Sequence, residues 1–217
     1  MTGPGDRAAG LALMREFLPV SRETEARLDR YADLLGRWQR AKNLVAPSTL
    51  DALWTRHFAD SAQIVPLATK ARRWVDLGSG AGFPGLVAAV MLAEAPGVRV
   101  DLVEANARKC AFLRAVIRET GAPAHVHALR IEAFLDGLTD PVDVITARAL
   151  APLPELVAMT APQIRRGALG IFHKGADLDT ELAAAATHWD LSFDRVPSHT
   201  DGSGALLIVR DCAPKSA

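Results

Sequence analysis

The stretch Val75-Asp76-Leu77-Gly78-Ser79-Gly80-Ala81-Gly82-Phe83-Pro84-Gly85 carries the clearest structural pattern of the chain. The apolar run from Trp74 to Leu77 predicts a buried strand. Three glycines at alternate positions follow, and they allow a tight turn whose backbone approaches a ligand closely. Pro84 suits the first turn of a helix, where its missing N–H has no partner to lose. Strand, glycine loop and helix together predict a cofactor site at the carboxyl end of a parallel strand.

Strand and helix patterns alternate after residue 70, which predicts βαβ units around a parallel sheet and hence an α/β fold. The last two strands are joined by a short connection with the sequence Asp201-Gly202-Ser203-Gly204, which indicates a hairpin and an antiparallel final strand. The predicted strands are 73–78, 99–104, 124–129, 142–147, 168–173, 191–197 and 205–210. The predicted helices between them are 84–95, 106–120, 131–136, 152–166 and 177–188.

The first part of the chain, residues 1–70, has no strand pattern and predicts a small helical subdomain packed on a core domain of residues 71–217. Ser21 is the expected N-cap of its second helix, Ser48 or Thr49 of its third, and Asp60-Ser61 of its fourth. The four predicted helices are 8–18, 21–41, 50–58 and 60–67.

Length and composition limit the class of protein. The chain has 217 residues, 49% of them hydrophobic, which is enough for one good core. Lys+Arg and Asp+Glu are both 25, so a nucleic-acid surface has to be a local patch. Cys110 and Cys212 make no disulfide framework, and the sequence has neither a signal-peptide pattern nor an apolar run of membrane-spanning length. We expect a cytoplasmic monomer with no membrane contact.

Two cofactors fit the spacing of the glycine loop. Gly80, Gly82 and Gly85 match the GxGxxG pattern of dinucleotide folds, whereas Gly78, Gly80 and Gly82 match the denser GxGxG pattern of class I methyltransferases that use S-adenosylmethionine. Glu104, at the end of the next strand, would hold an adenosine ribose in either case. Asp76 separates the two, because a carboxylate there repels a pyrophosphate but suits a sulfonium and ammonium ligand. Together with the terminal hairpin, it favours S-adenosylmethionine over NAD.

Several further stretches, in their joint order and spacing, resemble the RsmG (GidB) family, bacterial methyltransferases of guanine N7 in small-subunit ribosomal RNA. The resemblance covers about residues 28–175. This chain has Glu104 where many relatives have Asp, Val45 where they have Thr, and Ser79 where they have Thr. The matching stretches, besides the glycine loop, are Asn43-Leu44-Val45, Arg56-His57-Phe58-Ala59-Asp60-Ser61, Leu102-Val103-Glu104-Ala105, Lys109-Cys110-Ala111-Phe112-Leu113, Arg130-Ile131-Glu132, Thr146-Ala147-Arg148-Ala149 and His173-Lys174-Gly175.

The resemblance implies a Rossmann-like fold, S-adenosylmethionine as cofactor and 16S ribosomal RNA, or the small subunit or its assembly intermediate, as partner. It implies that Gly78 and Phe83 contact the cofactor and that Glu104 binds its ribose. Ile131 and Glu132 would form the wall around the adenine. Arg148 would contact the cofactor or position the target base.

The implied reaction needs no general base, because guanine N7 carries a lone pair and no proton. Positioning would supply most of the catalysis. His57 is either a functional residue or a packed helix residue, and Lys174, at a strand end, is expected to contact RNA phosphate. His125 and His127 share a face of a strand but have no ligand partner in the sequence pattern, so we expect no metal site. Local basic clusters, the only sequence evidence for an RNA-binding rim, are Arg37, Arg40 and Lys42; Lys70, Arg72 and Arg73; and Arg108, Lys109, Arg114 and Arg118.

Overall fold

A seven-stranded sheet with the order β3-β2-β1-β4-β5-β7-β6 forms the centre of the molecule. The computed structural model describes residues 4–42 and 44–215, with the backbone alone for residues 4 and 40–42. β1 to β5 pair in parallel, and β7 pairs antiparallel with both β5 and β6. The predicted α/β fold with a terminal hairpin is therefore confirmed. The strands are β1 Arg73–Leu77, β2 Arg99–Val103, β3 Ala124–His127, β4 Val144–Arg148, β5 Leu169–Lys174, β6 Trp189–Pro197 and β7 Ala205–Pro214.

The helices of the α/β region also lie within a few residues of their predicted bounds. In the N-terminal segment Ser21 caps the second helix, since its hydroxyl accepts the Thr24 N–H at 3.1 Å. Asn43, the first residue of one matched stretch, lies outside the described residues. The helices are α1 Pro4–Phe17, α2 Arg22–Lys42, α3 Asp60–Ala62, α4 Gly85–Met91, α5 Ala107–Thr120, α6 Ile131–Asp136, α7 Leu153–Ile164 and α8 Leu178–Ala185.

The prediction of two helices over 50–67 is wrong in detail. This segment consists of a 3-10 turn (Pro47–Ala52), a π-helix (Trp54–Ala59) that runs into α3, and a second 3-10 turn (Val65–Ala68). The predicted caps Ser48, Thr49 and Asp60-Ser61 make no side-chain cap hydrogen bond. The reason is tertiary: the Asp6 carboxylate of α1 accepts the N–H groups of Trp54 and Thr55 at 2.8 and 3.2 Å, and so starts the π-helix there.

The N-terminal helices and one face of the sheet share a single hydrophobic cluster. Trp74 of β1 and Val100 of β2 face this cluster, together with α4 and α5. The opposite face packs against α6, α7 and α8, with Val75 and Leu77 on that side. Consecutive β1 residues therefore point to opposite faces, which places Asp76 on the same side as Trp74 and under α4. A domain boundary near residue 70 stays a prediction.

Tyr31 of α2 ties the N-terminal helices to the glycine loop. Its side chain is fully buried, its hydroxyl donates to the carbonyl oxygen of Ala81, and its ring stacks on Phe83 at 5.8 Å between centroids. Burial holds the pKa of Tyr31 well above its ordinary value, so the hydroxyl keeps its proton.

Tyr31→Phe should lower the free energy of unfolding by about 1–2 kcal/mol, because a buried carbonyl loses its donor while the ring packing stays. Urea unfolding would measure this, with an unchanged dependence on denaturant as the control for an intact fold. An unchanged free energy of unfolding would contradict the hydrogen bond.

In the described ranges, no helix has the length and apolar character needed to cross a membrane.

Candidate functional site

The glycine loop lies at the carboxyl end of β1 and has a left-handed backbone. Gly78, Gly80 and Gly82 have φ values of 66°, 58° and 95°, a region that costs strain for any residue with a Cβ. The Ser79 N–H donates to the Val103 carbonyl oxygen at 3.0 Å and so joins the loop to the end of β2. The three glycines are thus required by the backbone, and a Cβ on Gly82 would also clash with the Tyr31 hydroxyl.

Glu104 stands beside this loop, immediately after β2. Its two oxygens accept the N–H groups of Gly80 at 2.9 Å and Asn106 at 2.7 Å. A carboxylate oxygen has two lone pairs, so each oxygen is able to accept a further hydrogen bond. The arrangement fits two hydroxyl donors of a ribose.

Asp76 is buried beneath the loop, with a side chain 1% exposed. One carboxylate oxygen accepts the Thr146 hydroxyl at 2.7 Å, and the other has no hydrogen-bond partner within the described residues. A Cβ on Gly85 would lie 2.6 Å from the Asp76 Cγ, so the start of α4 closes over this carboxyl. Burial raises the pKa of Asp76 to about 6, although the Thr146 hydrogen bond opposes the shift. A buried carboxylate oxygen without a hydrogen-bond partner would suit a cationic donor that reaches it.

These residues fit the predicted cofactor. Asp76 offers the acceptor that an ammonium group needs, and Glu104 offers those for a ribose. Ile131 is half-buried at the start of α6, and Glu132 is exposed beside it, both close after the end of β3. Because β3 pairs with β2, which ends at Glu104, the position of both residues agrees with a wall around an adenine. A contact of Ile131 or Glu132 with the adenine stays a prediction.

Arg148, the last residue of β4, joins the glycine loop to a second group of residues. Its guanidinium carbon lies 5.1 Å from the centre of the Phe83 ring. One terminal nitrogen donates to the Asp60 carboxylate at 2.8 Å and to the Arg56 carbonyl oxygen at 3.3 Å, and the other donates to His57 at 2.8 Å. The chain then turns sharply at Ala149, which has a φ of 50°.

His57 is neutral and its tautomer is defined by its partners. Because a guanidinium only donates, the His57 Nδ1 that contacts Arg148 must accept. The proton therefore sits on Nε2, 2.8 Å from the Thr49 hydroxyl oxygen. Burial, with a further contribution from Arg148, lowers the pKa of His57 to about 4. The ring also stacks on Phe83, at 4.8 Å. His57 thus acts as a fixed acceptor for Arg148.

Asp60, which the sequence suggested only as a helix cap, connects four segments of the chain. One oxygen accepts Arg148; the other accepts the Thr200 hydroxyl at 2.7 Å and the Gln63 amide at 3.1 Å. Its backbone carbonyl lies 3.0 Å from His173 Nε2. Its presence in the matched stretch 56–61 was the available signal, but its partners other than Gln63 are far away in sequence.

A cavity of about 370 Å³ opens beside these residues, at the carboxyl ends of β4 and β5 and under the β6–β7 hairpin. Its lining includes Thr49 and the π-helix as well as the hairpin loop. Both predicted substrate residues, His57 and Lys174, line it, as does Arg148. The full lining is Thr49, Arg56, His57, Asp60, Arg148, Ala149, His173, Lys174, Gly175, Ser198, Thr200, Asp201, Gly204, Ala205 and Leu206.

Lys174 has its charge already paired. Its ammonium forms an ion pair with Glu181 of α8 and donates to the Ala151 carbonyl oxygen at 3.3 Å, and the side chain is 6% exposed. Glu181 in turn accepts the Leu153 N–H at 2.6 Å. These contacts hold the loop after Ala149, so the predicted phosphate contact of Lys174 stays a prediction without support from geometry. Arg56, exposed at the edge of the cavity, is better placed for a phosphate.

The two histidines of β3 have a partner that the sequence pattern did not reveal. His127 Nε2 lies 2.8 Å from a carboxylate oxygen of Asp101, which also accepts Arg99 at 2.8 Å. Groups of three or more His, Cys, Asp or Glu able to hold a metal ion are not found in the part of the chain that the structure describes. Cys110 and Cys212 are both buried and unbridged.

Comparison with known proteins agrees with this geometry. The family model GidB, described as rRNA small subunit methyltransferase G, matches residues 24–203. A ribosomal RNA small subunit methyltransferase G from Bradyrhizobium diazoefficiens is 56% identical over 202 residues, which are 93% of this chain and 76% of the relative. One from Methylobacterium sp. strain 4-46 is 53% identical over 191 residues, 88% of this chain and 90% of the relative.

Solved structures with low sequence identity share the fold. A putative O-methyltransferase from Klebsiella pneumoniae has a TM-score of 0.60 at 15% identity, covering 95% of this chain and 98% of that one. The O-methyltransferase from Bacillus cereus in complex with SAH has a TM-score of 0.58 at 17% identity, covering 94% and 98%. With the family model matching most of its length, the chain belongs to the GidB family, the rRNA small subunit methyltransferases G.

Proposed function

We propose that this chain transfers a methyl group from S-adenosylmethionine to N7 of a guanine in small-subunit ribosomal RNA. The observation that carries the proposal is the position of Arg148, which contacts Phe83 of the glycine loop and also lines the cavity. A group held between a cofactor loop and a cavity is suited to orient an acceptor toward the cofactor.

Asp76, Glu104 and the three loop glycines would hold the cofactor, with Phe83, Ile131 and Glu132 around it. When bound, the cofactor supplies an electrophilic methyl group, and the bond that breaks leaves its electron pair on sulfur. Guanine N7 attacks with its own lone pair, so the chain has no proton to remove. The low pKa of His57 agrees with this, because an imidazole with a pKa of about 4 is a weak base at neutral pH.

Arg148 has donors left for the guanine. A guanidinium has five N–H groups, and the contacts to Asp60, Arg56 and His57 use three of them, which leaves two. Arginine commonly donates to the O6 and N7 edge of guanine. A bond to O6 alone would orient the base and keep the N7 lone pair free. Because such an edge is hard to reach in a stacked helix, we expect an exposed or extruded base.

The proposal is tested by incubating the chain with S-adenosylmethionine labelled in its methyl group and with unmethylated small-subunit RNA or particles. We expect one labelled guanine, mapped by cleavage at N7-methylguanine. Arg148→Ala should lower kcat/KM at least about tenfold, because an oriented donor is lost. Label in protein, or at another base atom, would contradict the proposal.

The same experiment addresses the partner. Comparing naked 16S RNA, an assembly intermediate and the finished subunit would identify the natural substrate by its kcat/KM. The proposal places the chain in the cytoplasm and treats it as a monomer, which sedimentation of the chain alone would check.

A further inference from the structure

Asp60 carries the carboxylate that meets the positive charge of Arg148 at the boundary between glycine loop and cavity. The two side chains are 16% and 18% exposed, and their closest atoms are 2.8 Å apart. Burial by itself would raise the pKa of Asp60, but His173, Arg148 and the hydrogen bond from Thr200 outweigh it and bring the pKa below its ordinary value. Because burial lowers the pKa of His173, Arg148 is the permanently charged partner of Asp60.

The second oxygen of Asp60 is held independently of Arg148. It accepts the Thr200 hydroxyl at 2.7 Å, and Gln63, which also contacts Asp60, accepts the His199 N–H at 2.7 Å. The hairpin loop therefore fixes the carboxylate, and the carboxylate fixes the guanidinium. Asp60, Arg148 and Thr200 all line the cavity.

Arg148 stands where an unpaired positive charge would be harmful. It lies against Phe83 of the loop, and its charge acts on buried Asp76, whose open oxygen is the acceptor assigned to the cofactor's ammonium group. S-Adenosylmethionine is a sulfonium cation, and a guanine becomes cationic when N7 is methylated. A bare guanidinium nearby would repel both. A paired guanidinium repels them much less and still donates hydrogen bonds.

We propose that Asp60 is a positioning residue that neutralises Arg148 and holds it against Phe83, so that a cation binds and reacts beside it. The inference rests on the proposed function, since it takes S-adenosylmethionine as the ligand. It assigns Asp60 no contact with substrate or cofactor.

Asp60→Asn tests this by binding alone. Calorimetry with the full chain would compare S-adenosylmethionine with S-adenosylhomocysteine, which lacks the methyl group and the sulfonium charge. The Kd for S-adenosylmethionine divided by the Kd for S-adenosylhomocysteine should rise about fivefold to tenfold in the variant. This is the size expected for one uncompensated charge several Å away. Poor folding would weaken both ligands alike and leave the ratio unchanged.

A second variant identifies the residue through which Asp60 acts. Adding Arg148→Gln to Asp60→Asn removes the uncompensated charge, so the ratio should return to within about twofold of the wild-type value. Thr200→Val, which keeps the Asp60 charge, should leave the ratio unchanged. Glu94→Gln is the control for loss of a carboxylate, because Glu94 follows α4, pairs with Arg27 of α2 and does not line the cavity.

The outcomes separate the two proposals. An unchanged ratio in Asp60→Asn, in a variant whose cooperative urea unfolding shows that it is folded, overturns the charge-balancing role. A raised ratio that Arg148→Gln does not restore overturns the action through Arg148. The calorimetry contains no RNA, so its outcome does not depend on whether the chain methylates a guanine. If the wild-type chain bound neither ligand, the proposed function would be overturned first and this inference with it.

Discussion

Asp76→Asn should make the cofactor-free protein more stable while weakening S-adenosylmethionine binding about 100-fold. In the folded state burial raises the pKa of Asp76 to about 6, against about 3.9 in an unfolded chain. Ionising this carboxyl therefore costs roughly 3 kcal/mol above pH 6. Asparagine avoids that cost but places an amide donor where the open oxygen was, so we expect a net gain of about 1–2 kcal/mol at pH 8.

The sign of the pH dependence makes this prediction specific. Between about pH 4 and pH 6 the folded protein binds more protons at Asp76 than the unfolded chain does, so its stability falls as the pH rises through this window. Below about pH 4 the carboxyl is protonated in both states and the cost disappears. Asp76→Asn should accordingly be about 1–2 kcal/mol less stable than wild type at pH 4, where only the cost of the amide donor remains, and reach its full advantage above pH 6, as measured by urea unfolding at each pH.

Asp101 is the matched control, a buried carboxyl on the neighbouring strand with the opposite shift. Burial would raise its pKa, but hydrogen bonds from Arg99 and His127 outweigh this and lower it. Asp101→Asn should therefore destabilise the protein at pH 8 and leave cofactor affinity unchanged. If Asp76→Asn behaved like Asp101→Asn, Asp76 would be a structural residue with no part in binding.

Loss of binding in Asp76→Asn has a direct physical reason. A buried carboxylate that accepts an ammonium group contributes several kcal/mol, and a neutral amide recovers little of it. Calorimetry at pH 8 measures the loss. Since a proton on Asp76 competes with the ammonium group, wild-type affinity should also fall as the pH drops below about 6.

Gly78→Asp should also abolish measurable cofactor binding, with a loss of at least about 100-fold. Gly78 has a φ of 66°, and a Cβ there would lie 2.7 Å from the end of the Leu150 side chain. Leu150 is able to move, so the fold should survive at a cost of about 1–2 kcal/mol for the left-handed backbone. The added side chain would place a bulky anion in the loop that we assign to the cofactor, and so should disturb the backbone that a bound cofactor contacts.

Gly97→Asp separates backbone strain from obstruction of the site. Gly97 has a similar φ of 74° and nothing within 4 Å of a Cβ. It should lose a similar amount of stability and keep full affinity for S-adenosylmethionine in calorimetry. Equal affinity in both variants would sink the assignment of the loop to the cofactor.

The sequence by itself determined the order and type of the elements from residue 73 onward. Local patterns sufficed there because the central strands β1 and β4 are buried on both faces, α5 and α7 bury apolar residues at helical spacing, and the glycines at 78, 80 and 82 are required by their own φ values. The hairpin at 201–204 likewise depends only on its local turn. Asp76 and Glu104 were found from their spacing, because strand ends in a parallel sheet meet at one edge.

Only the tertiary structure decided how the charged groups are paired. Arg148 meets Asp60 and His57 across about ninety residues of chain, and Lys174 is neutralised by Glu181 of the next helix. The segment 47–68 departs from its predicted helices because Asp6 binds the start of its π-helix. A residue's sequence neighbours set its backbone preference. Its burial and the charge of its partners depend instead on which distant segments fold against it. Burial and partner charge then decide whether a charged side chain acts on a ligand or on another side chain.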